Sequence, residues 1–230
     1  MEEPGAAMRE IVLDTETTGL DPAAGHRVVE IACIELLNRI PSGRHYQTYI
    51  NPERDMPEEA FRVHGLGSEF LGQFPVFAKV ADDFLEFVGE AALVIHNAEF
   101  DLRFLNAELA LISRPPLDGF TVVDTVALAR RKFPGAPASL DALCRRFGID
   151  NSSRDLHGAL LDAQLLADVY LELMGGRQPG LGLAAEDGEA VGRARVERAV
   201  RPPRPHAATA EELDAHGAFI ATMADPIWKD

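Results

Sequence analysis

Three extended segments precede the first long helical pattern in this chain, and strand and helix alternate after it. REIVLDTE (residues 9–16), VVEIACIELLN (28–38) and the segment around HYQTYINP (45–52) read as strands, the last two forming a meander with the first. EEAFRVHGL and PVFAKVADDFLEFVG read as helices, and AALVIHN as a short, wholly apolar strand. AEFDLRFLNAELALI is helical, with Asn97 placed to cap it. FTVVDT is a fifth strand. TVALARRKF, SLDALCRRFG and HGALLDAQLLADVYLELMGG are helices, the last stopped by Gly175 and Gly176. That order predicts an α/β fold, a mixed five-stranded sheet flanked by helices.

Composition then narrows the class. With 47% apolar and 26% charged residues over 230 positions, the chain is expected to be globular. No apolar run approaches the ~18 residues of a membrane span, so no membrane role is expected. MEEPGAAMRE has neither the basic nor the apolar part of a secretory signal. Cys33 and Cys144 fit small buried thiols in a reducing cytoplasm, and without a CxxC pair they offer no structural zinc site. The net charge of −15 argues against gripping duplex DNA by a basic surface. It leaves room for a nucleic-acid enzyme whose carboxylates meet phosphates through divalent cations.

Residues 1–7 read as an extension and 8–175 as one folded region. Residues 176–207, rich in Gly, Pro, Ala and Arg, read as a flexible linker. In 208–230 order is expected to return. Thr209 and Glu212 form a capping box ahead of Leu213, His216, Phe219 and Ile220 at helical spacing, with Ile227 and Trp228 near the end. A short amphipathic helix buries little apolar surface alone, so it calls for a partner or for packing back on the main region.

The candidate chemistry sits on carboxylates. Asp14 and Glu16 are two apart on a strand, so they share a face, and their mutual repulsion asks for a cation. Asp101 falls in a first helical turn, where it could simply complement the helix dipole. Asp162 interrupts a helix apolar nearly all round, where an unpaired carboxylate would be expensive. His157 lies five positions before it, about 140° away on a continuous helix. The two can meet only if His157 leaves the helix axis, which Gly158 permits. Four carboxylates suit hard ions such as Mg2+ or Mn2+, and a nearby histidine suits proton removal from water. His96 reads as a satisfied strand-end side chain, and the P-loop and GxSxG patterns are absent.

LDTETTGL, VIHNAEFD and RDLHGALLDAQ resemble, in order and spacing, the three motifs of the DEDDh exonucleases, a family with a ribonuclease H-like fold. The resemblance spans residues 8–175. It implies 3′→5′ hydrolysis of nucleic acid with release of nucleoside 5′-monophosphates. Asp14, Glu16, Asp101 and Asp162 would hold two divalent cations, Mg2+ or Mn2+, and His157 would be the general base. Within the family the chain is most similar to the proofreading members that serve bacterial replicative DNA polymerases. That likeness implies that Glu59 and His64 lie by the terminal nucleotide with the turn of Thr17, Gly19 and Leu20. Asp14, Glu16 and Asp162 would touch the same nucleotide. It also makes Gln178, Leu181 and Leu183, in QPGLGL, a sliding-clamp peptide of weak affinity, since Leu183 stands where many such peptides carry an aromatic. Segment 208–230 would dock on the polymerase catalytic subunit. Whether a small accessory subunit also binds is left open. The implied substrate is a single-stranded or frayed 3′ DNA end, acted on in the cytoplasm. The alternatives are a free-standing nuclease for RNA trimming or DNA repair, and a structural tether between polymerase and clamp.

Overall fold

The computed structural model describes residues 8–152, 156–176 and 207–224. By its internal contacts the chain divides into two compact units, 1–182 and 183–230. The first unit holds a five-stranded sheet: β1 (Arg9–Thr17), β2 (Val28–Leu37), β3 (Ile40–Tyr49), β4 (Ala92–Ile95) and β5 (Val122–Asp124). Its order is β3-β2-β1-β4-β5. β1 pairs antiparallel with β2 and parallel with β4; β2 and β3 are antiparallel, β4 and β5 parallel. The mixed sheet expected from the order of elements is therefore present. β3 begins earlier than HYQTYINP suggests, because Ile40 and Pro41 continue the pairing with Leu37 and Leu36 across a tight turn.

Among the described residues, seven α-helices accompany the sheet: α1 (Glu58–His64), α2 (Ser68–Leu71), α3 (Phe77–Val88), α4 (Ala98–Leu111), α5 (Thr125–Lys132), α6 (Leu140–Phe147) and α7 (Ala159–Leu173). α2 is a single turn that no sequence periodicity announces. Strand alternation sorts β1 between two cores. Ile11 and Leu13 face Phe84 of α3 and Phe104 and Leu105 of α4. Val12 faces the opposite way, toward Leu143 of α6 and Leu166 and Tyr170 of α7. α7 is buried nearly all round because it lies across β1 and β2 beneath α6. It ends where Gly175 and Gly176 take positive φ and Gly176 N–H returns to the Leu171 carbonyl. Cys33 and Cys144 are both buried thiols.

Asn97 precedes α4 as expected, but its side chain caps nothing. It adopts the left-handed conformation, φ 66 and ψ 57, in place of the extended one from which a capping side chain reaches the first amides. In the second unit, α8 (Ala210–Ala221) starts with the full Thr209–Glu212 capping box. Leu213 and Phe219 on it are exposed. Gln178, Leu181, Leu183, Ile227 and Trp228 lie outside the described residues. No described helix is long and apolar enough to cross a membrane.

Candidate active site

Asp14, Glu16 and Glu30 share one side of the sheet, the side covered by α7. Asp14 and Glu16 have the parity of Val12 on β1, and Glu30 pairs across from Glu16 on β2. Asp162, in the first turn of α7, reaches the same place and is 4% exposed. Asp101 arrives from the other side. It is carried by α4, and its Oδ1 accepts the Thr15 backbone N–H at 3.1 Å and the Thr15 hydroxyl at 2.7 Å. The carboxyl end of β1 is thus the meeting point of both helical layers, as open α/β sheets favour.

His157 joins them from outside the helix. Gly158, the residue before α7, is extended at φ −153 and ψ 126, so His157 does not continue the helical path. Its Nδ1 lies 3.3 Å from Asp162 Oδ2. Ligand atoms of Glu16, His157 and Asp162 all fall within 4.8 Å of one another.

The electrostatics record the crowding. Asp14 is partly exposed as a residue, yet protein atoms surround its carboxyl. Its pKa is raised well above the usual carboxylate value, by burial first and then by Asp101, Glu16, Asp162 and Glu30. Burial also pushes Asp101 up to about 7, against the lowering effect of its Thr15 hydrogen bonds. Glu30 is raised by burial, partly offset by hydrogen bonds from Gln47 and the Ala159 amide. An arrangement that penalises its own negative charge is matched to a compensating cation. The donor set, oxygen-rich with one imidazole at its margin, fits a hard divalent ion.

Beside these groups opens a cleft of about 520 Å³. Glu16, Thr17, Gly19, Leu20, Glu59 and His64 line it, with His26 and Phe100. The turn after β1 is shaped by the Thr17 hydroxyl, which donates to the Gly19 carbonyl at 2.6 Å. Arg103 holds the Leu20 carbonyl at 2.9 Å. Leu20 is 78% exposed at the rim. His64 is buried at the end of α1, and its Nδ1 accepts the Leu66 N–H at 3.0 Å. Nε2 therefore carries the proton, and it makes no well-formed hydrogen bond within the protein, the Thr17 carbonyl being the backbone acceptor near it. Burial lowers the His64 pKa, the nearby Thr17 carbonyl offsetting this in part. A buried N–H held only loosely on a cleft wall is suited to a better acceptor brought by a ligand.

His96 does not join the site. Its Nδ1 lies 2.9 Å from the Thr125 hydroxyl, which itself donates to the Ile95 carbonyl. Thr15, Glu30, His26 and Phe100 were not singled out by the sequence reading. Glu30 had a readable signal: like Asp162, it is a carboxylate inside an apolar run, VVEIACIELL.

Comparison with known proteins gives the family of the chain. An exonuclease family profile, RNase_T, matches residues 11–170. The DNA polymerase III subunit epsilon of Rickettsia felis is 49% identical over 227 residues, covering 95% of this chain and 98% of the relative. The Escherichia coli K12 subunit of the same name is 46% identical over 226 residues, covering 94% and 93%. Among solved structures, exonuclease X in complex with 5′ overhanging duplex DNA superposes with a TM-score of 0.57 at 25% identity, covering 72% of this chain and 90% of that one. Exonuclease I has a TM-score of 0.65 at 18% identity, covering 75% and 42%, a likeness of fold. The chain belongs to the RNase T/DEDDh exonuclease family, among the DNA polymerase III epsilon subunits.

Proposed function

We propose that this 3′→5′ exonuclease proofreads a replicative polymerase by removing nucleotides from frayed 3′ DNA ends. The observation that carries the reading is the convergence of Asp14, Glu16, Asp101, Asp162 and His157 beside a nucleotide-sized cleft. The four carboxylates would hold two divalent cations, Mg2+ or Mn2+. Such ions neutralise phosphate charge and make water a stronger acid.

The chain's own groups divide the remaining work. Leu20 and Phe100 offer apolar surface to the terminal base, and Glu59 and the Thr17–Leu20 turn offer polar contacts to its sugar. His64 Nε2–H is available to a phosphate or sugar oxygen. His157 accepts the proton of the attacking water. The water oxygen bonds to phosphorus as the bond to the 3′ oxygen of the preceding nucleotide breaks, releasing a nucleoside 5′-monophosphate, and the leaving oxygen takes a proton from solvent to become the new 3′ hydroxyl. Asp162 beside Nδ1 stabilises the imidazolium formed.

Selectivity for errors needs no base readout. A paired end must be melted at a cost of a few kcal/mol, and a mismatched end has less to lose. The net charge of −15 fits an enzyme that receives ends from its polymerase instead of gripping duplex itself. The exposed Leu213 and Phe219 on α8 would dock on the polymerase catalytic subunit, and QPGLGL would engage the clamp. The two buried thiols suit the cytoplasm.

Digestion of a 3′-mispaired primer with Mg2+, beside a matched primer and with and without polymerase, tests the reading. Faster loss of the mispaired end, with the contrast widened by polymerase, is expected. Equal rates on both primers would overturn it. Capture of the polymerase catalytic subunit by the full chain and not by a chain cut after Gly176 tests the tail. Equal capture, or none, would refute docking.

A further inference from the structure

Glu30 is a buried carboxylate that the chemistry above does not use. It is 2% exposed and lies on β2 opposite Glu16. Adding one more acid to a cluster already short of compensation is costly, so its hydrogen bonds are informative. Its Oε2 accepts the Ala159 N–H at 3.1 Å, and its Oε1 accepts Gln47 Nε2 at 2.7 Å. Ala159 opens α7, and its amide is one of the first-turn donors that a helix itself cannot satisfy.

The segment that carries His157 is pinned at two backbone points. On one side of Gly158, the His157 N–H donates to the Val63 carbonyl of α1 at 3.0 Å. On the other, the Ala159 N–H is held by Glu30. Gly158 between them has no protein atom within 4 Å of where a Cβ would stand. No side-chain packing at Gly158 therefore adds to these two backbone anchors. We propose that Glu30 is a positioning residue, which sets where the His157 ring stands by anchoring the start of α7. The inference rests on the reading of His157 as general base. Gln47 fixes the carboxylate from β3, so the placement of the base is tied to the edge of the sheet. A displacement of about 1 Å at a reacting group is enough to cost on the order of 10²-fold.

The test compares Glu30→Ala, Glu30→Gln and His157→Ala on a 3′-mispaired primer at saturating Mg2+, with NMR of the His157 imidazole. Glu30→Ala is expected to lower kcat about 10–100-fold with KM unchanged, and to shift or broaden the imidazole resonances. Glu30→Gln retains an acceptor for the Ala159 amide and should restore most of both. Glu30→Ala added to His157→Ala should cost nothing further, because the placed group is already gone. Wild-type kcat in Glu30→Ala, or losses that multiply in the double variant, would overturn the proposal. So would a weakened Mn2+ affinity whose correction at high metal restored kcat. Normal turnover in His157→Ala would remove the base reading, and the imidazole resonances would still decide whether Glu30 places the ring. Should Glu30→Ala not fold, Gln47→Leu releases Oε1 from the exposed strand side. It should lower kcat several-fold with the same change in the resonances, and unchanged resonances would refute the anchor.

Discussion

His157 Nδ1 lies 3.3 Å from Asp162 Oδ2, although His157 stands outside the helix that carries Asp162. On a continuous helix the two side chains would diverge by about 140°. The extended Gly158 removes that divergence. In the proposed role, Asp162 beside Nδ1 leaves Nε2 as the nitrogen that takes the water's proton. His157→Ala should therefore slow turnover by about 10²–10⁴-fold and leave the melting temperature close to wild type. Single-turnover digestion checks this, and near-normal rates would remove the role.

Asp14 carries the heaviest electrostatic load, repelled by Asp101, Glu16, Asp162 and Glu30 on top of its burial. Asp14→Asn keeps the shape and removes one of those charges. It should abolish metal-dependent digestion and, in EDTA, raise the melting temperature. A variant both inactive and less stable without metal would show that Asp14 supports the fold instead of straining it.

The strand face shared by Asp14 and Glu16 was legible because a period of two needs no tertiary information. The mixed character of the sheet was legible too, since three extended segments precede the first long helix and strand and helix alternate after it. Asp101 was harder, because its partner Thr15 is on β1, 86 residues away, and nothing local in HNAEFD names it. Glu30 was legible in principle, by the same cost argument that marks Asp162. Asn97 shows the limit of a propensity: the residue type suits a cap, but the turn out of β4 takes it to positive φ instead. The single-turn α2 escaped because four residues cannot establish a helical period.

The metal-free protein should lose stability as pH rises. Burial raises Asp101 from 3.8 to about 7, and Asp14 is raised as well. The folded state then binds more protons than the unfolded chain across that window. Stability falls from the unfolded value upward and levels off above the folded one. Melting in EDTA at about pH 5 and about pH 8 should show the drop, and Asp101→Asn should reduce it. Divalent cations displace those protons, so Mn2+ affinity should rise over the same range. A melting temperature in EDTA that rises with pH, equally in wild type and Asp101→Asn, would contradict the linkage.

Glu108 governs the loop that forms one wall of the cleft. Its Oε1 accepts Arg27 Nε at 2.7 Å and the Val28 N–H at 3.1 Å, and its Oε2 accepts Arg27 Nη2 at 2.8 Å. Arg27 in turn closes the loop on Thr18, its carbonyl accepting the Thr18 N–H at 2.9 Å and its N–H donating to the Thr18 hydroxyl at 3.0 Å. Gly19, Leu20, Asp21, Ala24 and His26, between those points, all line the cleft. Glu108→Ala leaves the Val28 amide buried without its acceptor and the guanidinium without its fork. Arg27 keeps 23% of its side chain in solvent, which relieves part of the penalty. A loss of about 2–3 kcal/mol is expected, below the range for breaking a fully buried pair. Because the loop lines the cleft and holds none of the five groups assigned to the chemistry, KM for a single-stranded 3′ end should rise more than kcat falls. A folded Glu108→Ala enzyme with wild-type KM would show that the cleft wall holds its shape without this clamp.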